Sequence, residues 1–186
     1  METRIEPWPA ERPNRPSSDL GWMAAENAHG LAALASGKKT IVEIGTFHGL
    51  SARHMAKHAP GATIYCVDPF TPYAWAATPG EGHLETWLAS CWEFRSQLVP
   101  VVGKSPEALR FLADRGVVPE LVYVDGDHAE GPTHMDIATT VELWPSATVC
   151  GDDYCTSDPG VIAAVNRYTA EHGRSILPIG RFWRLL

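Results

Sequence analysis

Residues 40–51 read TIVEIGTFHGLS. The β-branched run Thr40–Ile44 predicts a buried strand and Leu50–His58 predicts a helix, so Gly45 and Gly49 fall in the turn between them. Glycines at this spacing let the chain turn tightly and let backbone amides approach the anionic part of a ligand at the helix N-terminus. The spacing is Gly-x-x-x-Gly rather than the Gly-x-Gly-x-x-Gly of dinucleotide-binding proteins, which disfavours NAD. A plain structural turn is the alternative.

Strand and helix signals alternate along the rest of the chain. Strands are predicted at 40–44, 63–67, 98–102, 121–124, 147–150, 175–179 and 181–186, and helices at 20–35, 50–58, 84–97, 105–115, 133–143 and 160–172. Parallel strands joined by crossover helices form a sheet that is covered on both faces. We therefore predict an α/β fold, a three-layer sandwich whose seven-stranded sheet is mostly parallel and ends in an antiparallel C-terminal strand.

Length and composition indicate a single domain with an N-terminal arm. The 186 residues are 45% hydrophobic, which is enough for one substantial core without disulfides. We expect the domain to span 19–186. Residues 1–18 contain four prolines among charged residues, so we expect them to form an irregular arm.

Charge and cysteine content restrict the partners and the compartment. The net charge of −7 lacks the basic surface that nucleic acid or an anionic membrane requires, so a small molecule or a protein is the expected partner. A homo-oligomer is left open. The four cysteines show no Cys-x-x-Cys pair, and the chain shows neither a signal sequence nor an apolar stretch of membrane-spanning length. These features are typical of a soluble cytoplasmic protein.

Acidic residues follow two of the predicted strands. The run 121–124 ends in Asp125-Gly126-Asp127-His128, and the run 147–150 is followed by Asp152-Asp153. Because parallel strands place their carboxyl ends at one edge of the sheet, we expect these acids to converge. Carboxylates so close repel one another and raise each other's pKa unless a cation lies among them, which indicates a divalent metal. The alternative is that the acids cap the helices that follow.

A further acid completes a recognisable pattern. Asp68 ends the strand after the glycine turn and lies 23 residues beyond Gly45, the distance at which an acid can bind both hydroxyls of a ribose. Over residues 38–186 the chain resembles the class I S-adenosylmethionine-dependent methyltransferases, which have a Rossmann-like fold. Their first motif, Glu-x-Gly-x-x-x-Gly, matches Glu43 to Gly49.

The resemblance implies a site for S-adenosyl-L-methionine. The turn would lie under the methionine part, Ser51 near its carboxylate, Asp68 at the ribose and Ser105 near the adenine. The implied cofactor-binding residues are Glu43, Gly45, Thr46, Gly49, Ser51, Asp68, Ser105 and Asp125. Ser105 with Glu107 also looks like an ordinary helix start, so capping alone is an alternative for Ser105.

The second half of the chain narrows the resemblance to the cation-dependent small-molecule O-methyltransferases. Asp125, Asp152 and Asp153 match the metal ligands of these enzymes, which include the catechol, caffeoyl-coenzyme A, macrocin and mycinamicin types. The catechol type has Asp-Asn where this chain has two Asp, so the antibiotic-tailoring enzymes are more similar. Three hard carboxylates favour Mg²⁺, although another divalent cation is an alternative.

The implied reaction is methyl transfer to a hydroxyl of a phenolic, sugar or natural-product acceptor. His128 stands where relatives carry a Lys or His base, and the ordinary pKa of histidine suits proton removal at neutral pH. Asp127 is the second candidate for the catalytic base. Two other classes stay open at this point: a non-catalytic module that binds the cofactor, and, less favoured, a NAD-dependent Rossmann oxidoreductase.

Residues 69–92 contain Tyr73, Trp75, Trp87 and Trp92 among prolines and glycines. Aromatic side chains on a connection beside a cofactor crevice would suit a substrate lid. The alternative is that Trp87 and Trp92 anchor a helix to the core or to a subunit interface.

Overall fold

The computed structural model describes residues 2–14, 21–71 and 83–186. Within these ranges the chain forms an eight-stranded sheet and six α-helices. The strands are β1 (Arg4–Ile5), β2 (Thr40–Ile44), β3 (Thr63–Asp68), β4 (Leu98–Val102), β5 (Leu121–Val124), β6 (Thr148–Gly151), β7 (Ile176–Ile179) and β8 (Phe182–Leu185). The helices are α1 (Ala25–Ala35), α2 (Leu50–His58), α3 (His83–Cys91), α4 (Glu107–Ala113), α5 (Glu130–Leu143) and α6 (Pro159–His172).

The strand order is β1-β4-β3-β2-β5-β6-β8-β7. Strands β2 to β6 are parallel, whereas β8 runs antiparallel to both of its neighbours, β6 and β7. The predicted Rossmann-like α/β fold with a mostly parallel sheet is confirmed. The sheet has eight strands instead of the predicted seven, because the two residues of β1 pair antiparallel with the outer edge of β4.

The order of the strands fixes the position of the ligand crevice. Strand β2 lies in the middle of the sheet and pairs with β3 on one side and β5 on the other. The connections leaving β2 and β5 therefore diverge, and open α/β sheets bind ligands at such a point, beyond the carboxyl ends of the strands. We call this side of the sheet the carboxyl edge. In register, Ile44 lies between Val67 and Val124, so the residues that follow these strands emerge side by side.

The two faces of the sheet carry separate hydrophobic cores. Side chains of a strand point alternately to opposite faces, and accordingly Ile41 belongs to one core and Val42 to the other. The first core packs β2 and its neighbours against α1, α2 and α3, with Met55 and Trp87 fully buried. The second packs the other face against α4, α5 and α6. This arrangement is the predicted three-layer sandwich.

Helix boundaries differ from the prediction at several N-termini. Helix α5 begins at Glu130, three residues before the predicted start, because Pro132 falls in the first turn, where its missing N–H leaves no helical hydrogen bond unmade. The predicted helix 84–97 ends at Cys91 and continues only as a short 3₁₀ turn, Trp92–Phe94. Helix α1 begins at Ala25, and its predicted start at Leu20 lies outside the described residues.

The N-terminal segment is attached to the domain. Besides the pairing of β1 with β4, the indole Nε1 of Trp8 donates a hydrogen bond to the carbonyl oxygen of Leu98 at 2.9 Å. The Trp8 ring lies 5.4 Å from that of Trp87 and 6.0 Å from that of Trp92. Arg4 and Ile5 thus form a strand, where the sequence predicted an irregular arm.

Within residues 2–14, 21–71 and 83–186, no helix combines the length and the hydropathy that crossing a lipid bilayer would need.

Candidate active site

A cavity of about 1080 Å³ opens at the carboxyl edge. Each of the five parallel strands has a lining residue at its carboxyl end: Asp68 is the last residue of β3, and Gly45, Gly103, Asp125 and Asp152 directly follow the other four. Pockets for one small ligand usually measure about 300–1,000 Å³, so this cavity has room for a cofactor together with an acceptor.

Ten of the twelve residues predicted for the site line this cavity: Gly45, Thr46, Ser51, Asp68, Ser105, Asp125, Asp127, His128, Asp152 and Asp153. The other two, Glu43 and Gly49, are buried and do not line the cavity.

The glycine turn is held in a form that only glycine can adopt. Gly45 has φ 81° and Gly49 has φ 85°, both in the left-handed region. A Cβ on Gly45 would overlap the carbonyl oxygen of Asp125, and one on Gly49 would overlap the sulfur of Cys91. The two glycines therefore let the turn pack directly against Asp125 and Cys91.

Asp68 fastens this turn. Its Oδ2 accepts the backbone N–H groups of Thr46 and Phe47, each at 3.1 Å, and its Oδ1 accepts that of Phe70 at 2.7 Å. The Thr46 hydroxyl in turn accepts a hydrogen bond from the indole Nε1 of Trp87 at 2.9 Å. Asp68, which is predicted to bind the ribose, thus also orders the turn. It can do both because an ionised carboxylate has about four acceptor positions.

Glu43 lies beneath the turn, fully buried. The Ser51 hydroxyl donates a hydrogen bond to Glu43 Oε1, while Oε2 finds no hydrogen-bond partner among the described residues. Burial raises the pKa of Glu43 to about 7, against the opposing effect of nearby hydroxyls. Glu43 was predicted to belong to the cofactor site. It does not line the cavity itself but contacts the lining residue Ser51.

Acidic residues converge at the other end of the cavity. We call Asp125, Asp152, Asp153 and Asp158 the acid cluster. Possible ligand atoms of Asp125, Asp153 and His128 lie within 4.8 Å of one another. Partial burial and the carboxylates of Asp152 and Asp153 raise the pKa of Asp125. The predicted acids thus lie at one cavity, and Asp158, which was not predicted, joins them through its contact with His128.

His128 bridges two members of the acid cluster. Its Nε2 lies 3.0 Å from Asp153 Oδ2, and its Nδ1 lies 2.9 Å from Asp158 Oδ1. The hydrogen bond to Asp153, supported by Asp158, raises the pKa of His128 to about 9. At neutral pH the imidazole is therefore protonated while both contacts persist, and in that state it cannot accept a proton.

Arg181 is a member of the site that the sequence did not reveal. It precedes β8 in the hairpin with β7, and its Nη2 donates hydrogen bonds to Asp153 Oδ1 and, at 3.2 Å, to Asp158 Oδ2. Its Nε lies 3.9 Å from Asp152 Oδ1. The guanidinium also lies 4.9 Å from the ring centre of the exposed Trp22. A single arginine in a hairpin forms no recognisable motif. The grouped acids predicted that a cation would lie among them, but they did not identify Arg181.

The acid cluster fits a divalent ion in part. Asp125 and Asp153 offer the hard oxygen donors that Mg²⁺ prefers, and His128 offers a nitrogen. In the described structure Asp152 Oδ1 accepts the backbone N–H of Asp153 at 2.5 Å. Both oxygens of Asp153 already contact a cationic side chain, His128 or Arg181. An ion would have to displace Arg181 from Asp153.

Asp136 is a second residue that the sequence did not reveal. It lies on α5, only 3% exposed, and lines the cavity near Ser105. Burial raises the pKa of Asp136 to about 6, and the Ser105 hydroxyl acts against this shift. An acid inside a helix normally faces solvent, so no local pattern predicted that Asp136 would lie in the site.

The aromatic stretch is described only from His83 onward. Trp87 is fully buried and packs on Trp8 and Phe70, and Trp92 packs on Trp8, so both anchor α3 and its 3₁₀ extension to the core. Tyr73 and Trp75, the other two aromatic residues considered for a substrate lid, lie outside the described residues.

Comparison with known proteins agrees with this architecture. The sequence model of a family described as "Methyltransferase domain" matches residues 42–154. Rv0187 from MTB, solved with its cofactor, is 20% identical, with 89% of this chain and 81% of that chain covered and a TM-score of 0.65. The O-methyltransferase from Bacillus cereus, solved with SAH, is 14% identical, with 92% and 84% covered and a TM-score of 0.66.

A third similar structure is the O-methyltransferase TomG from Streptomyces achromogenes, involved in tomaymycin synthesis and solved with SAM. It is 20% identical, with 90% of this chain and 81% of that chain covered and a TM-score of 0.64. At these identities the solved structures establish the shared fold. A search of curated proteins found no match.

Proposed function

Because the chain belongs to the methyltransferase-domain family and is an S-adenosylmethionine-dependent methyltransferase, we propose that it methylates a hydroxyl group of a small-molecule acceptor. The expected acceptors are phenolic, sugar or natural-product hydroxyls. The observation that carries the proposal is a single cavity with the glycine turn at one end and the acid cluster at the other. Two structures of the same fold are named O-methyltransferases, and one of them acts in tomaymycin synthesis.

The cofactor end would be formed by the turn and the strand ends beside it. Gly45, Thr46, Ser51, Asp68 and Ser105 would hold S-adenosyl-L-methionine, with Gly49 and Glu43 supporting the turn from behind. Bound there, the cofactor supplies an electrophilic methyl group on a sulfonium. The backbone amides of Thr46 and Phe47 already donate to Asp68, so the turn is ordered before the cofactor arrives and little reorganisation accompanies binding.

The acceptor end would be the acid cluster. We propose that Asp125, Asp152 and Asp153 hold a divalent cation, Mg²⁺ being the natural choice for carboxylate ligands. Such an ion lowers the pKa of a hydroxyl that it binds. The partial burial of Asp125 and the elevation of its pKa support this assignment, because an uncompensated group of acids is unfavourable. The contacts of Arg181 supply part of that compensation in the structure as described.

His128 is the proposed base, and Asp127 is the second candidate. While Asp153 accepts a hydrogen bond from His128, the imidazole keeps its proton. When that hydrogen bond is lost, the pKa of His128 falls and its Nε2 can take the proton of an acceptor hydroxyl. Asp127 is exposed, and its Oδ1 accepts the backbone N–H of Ala129 at 2.9 Å, a local turn that leads into α5.

The test is methyl transfer to a panel of phenolic and sugar hydroxyls, with S-adenosylmethionine, in the presence of Mg²⁺ and after exhaustive chelation. We expect product with Mg²⁺, loss of product after chelation, and a His128→Ala variant that loses turnover far more than cofactor affinity. The exposed variant Asp114→Asn serves as the control.

Three results would contradict parts of the proposal. Activity that survives chelation would remove the metal role from Asp152 and Asp153. Equal losses of turnover and cofactor affinity in His128→Ala would refute the base assignment. Cofactor binding without product from any acceptor would favour the non-catalytic binding module. The family match leaves the NAD-dependent oxidoreductase without support.

A further inference from the structure

Asp136 is a buried carboxyl that the mechanism does not use. It is 3% exposed on α5, yet it lines the large cavity. Burying a carboxylate is costly unless it is hydrogen-bonded or paired. The Ser105 hydroxyl acts on it and lowers its pKa against the effect of burial. One hydroxyl donates one hydrogen bond, whereas a carboxylate has about four acceptor positions, so Asp136 keeps acceptor capacity on the side of the cavity.

The surroundings of Asp136 leave this capacity accessible to a flat group. Gly126 lines the cavity beside it and has no side chain. A Cβ on Gly126 would lie 3.5 Å from Asp136 Oδ2 and 3.4 Å from the side chain of Ile44, so a larger residue there would narrow the approach to the carboxylate. We call the part of the cavity beside Gly126 and Asp136 the slot.

Among the described residues, no cationic side chain forms an ion pair with Asp136. Of the described groups, the charged one that acts on it is Asp127, and that acid raises its pKa further. In the loop that follows β4, Lys104 is exposed and Pro106 has no polar side-chain atom. The partner best suited to Asp136 is thus an N–H donor that a ligand brings into the slot.

We propose that Asp136 recognises the base of the cofactor by accepting a hydrogen bond from its exocyclic 6-amino group. Ser105, whose hydroxyl lowers the pKa of Asp136, would be the positioning residue. This inference rests on the proposed function, because that function puts the adenine beside Ser105. The consequence is selection of a 6-aminopurine over a 6-oxopurine, since the oxygen of the latter would face the carboxylate oxygens without a hydrogen atom between them.

The test compares the binding of S-adenosylhomocysteine and S-inosylhomocysteine by calorimetry. We expect the wild-type chain to prefer the adenosyl compound by about tenfold or more, as sites built to hydrogen-bond a substrate group reject analogues that lack it. In Asp136→Asn the amide offers a donor to the 6-oxo group, so the preference should shrink or reverse. Glu142→Gln, an exposed acid on the same helix, is the matched control and should keep the wild-type ratio.

A second measurement needs no variant. S-adenosylhomocysteine carrying two methyl groups on N6 has no amino hydrogen left, and the wild-type chain should bind it about tenfold or more weakly than the parent compound. Full affinity for this analogue, or a wild-type preference retained by Asp136→Asn, would overturn the role of Asp136 while leaving the proposed function intact. Failure of the wild-type chain to bind S-adenosylhomocysteine would instead overturn the cofactor site and, with it, this inference.

Discussion

At the scale of single residues, Glu43 carries a buried charge whose cost depends on pH. The pKa of Glu43 is 4.5 in its ordinary state and about 7 in the fold, where burial disfavours the ionised form. Between these values the folded chain binds the proton more tightly than the unfolded chain. Linkage therefore makes stability fall as pH rises through this window, and the full penalty, about 3 kcal/mol, is present above the folded pKa.

We predict that Glu43→Gln is more stable than the wild-type chain at pH 8 and that the difference shrinks at pH 5. Glutamine keeps an oxygen to accept the hydrogen bond from Ser51 but removes the charge. Urea unfolding at the two pH values measures the effect, with the exposed Glu93→Gln as the control. A difference that is the same at both values would show that Glu43 is not the titrating group.

A second prediction for a single residue concerns Arg181 and the affinity of the site for a divalent metal ion. Because its guanidinium donates to Asp153 and Asp158, a divalent ion must displace it. In Arg181→Gln that competition is gone, and we expect Mn²⁺ to bind about tenfold more tightly, a change of roughly 1.4 kcal/mol. The signal of free Mn²⁺ in electron paramagnetic resonance measures the affinity without any turnover.

The matched control for this experiment is Arg167→Gln, an exposed arginine on α6 that pairs with Glu171. It should leave Mn²⁺ affinity unchanged. Unchanged or weaker binding in Arg181→Gln would mean that Arg181 and the ion do not compete for Asp153.

The acids of the site were predictable at this scale, and two of its other residues were not. Asp125, Asp152 and Asp153 follow apolar strands directly, so their position in the sheet follows from local sequence. Arg181 joins them from the β7–β8 hairpin, and Asp136 from the interior of α5. Their placement depends on how distant elements pack, which single-sequence patterns do not encode.

At the scale of elements, Gly45 in the glycine turn can be compared with Gly61, which lies between α2 and β3. Gly45 and Gly61 both have φ 81°, but a Cβ on Gly45 would overlap the backbone of Asp125, whereas nothing lies within 4 Å of one on Gly61. Gly61→Ala should cost about 1 kcal/mol, the backbone penalty alone. Gly45→Ala should cost more than about 3 kcal/mol and also weaken cofactor binding.

Chemical denaturation of the two variants, with calorimetry of S-adenosylhomocysteine, separates the contributions of conformation and packing. Similar losses of stability in both would mean that the turn can move away from β5. Retention of full cofactor affinity in a folded Gly45→Ala chain would show that the turn does not support the cofactor.

The elements themselves show which signals are reliable. The strands β2, β4 and β5 have the predicted limits, because a strand buried on both faces reads as an uninterrupted apolar run. Helix starts were less accurate: proline in the first turn of α5 looked like a break in the helix. Strand β1 was missed because two residues on a sheet edge carry no periodic pattern.

At the scale of the whole molecule, binding of the cofactor should be visible as stability. A ligand at 100 times its dissociation constant stabilises the fold by about 2.7 kcal/mol. For a chain of this size, each kcal/mol raises the melting temperature by about 2–4 °C. We therefore expect S-adenosylhomocysteine to raise the melting temperature by about 5–10 °C and NAD to leave it unchanged. A rise with NAD alone would contradict the cofactor assignment.

Recognition of the acceptor also belongs to the scale of the whole molecule. The same sheet order can serve many acceptors, because the residues that contact the acceptor lie on loops added to the fold. Here Trp22 and Arg181 stand at the cavity beside the acid cluster, which makes them the described residues best placed to meet an acceptor. The positions of Asp68, Asp125 and Asp152 could be predicted because they lie at strand ends, whereas Trp22 and Arg181 lie outside the parallel strands and carry no such signal.

The pairing of β1 with β4 also has a consequence for the order in which the molecule folds. Trp8 bonds to Leu98, 90 residues further along the chain, so on the ribosome this segment is made long before its docking site exists. The outer edge of β4 stays open to other strands until the segment returns to it. Closure of this long-range contact is therefore a late step of folding, and the interval before it is when a nascent chain is most exposed to self-association.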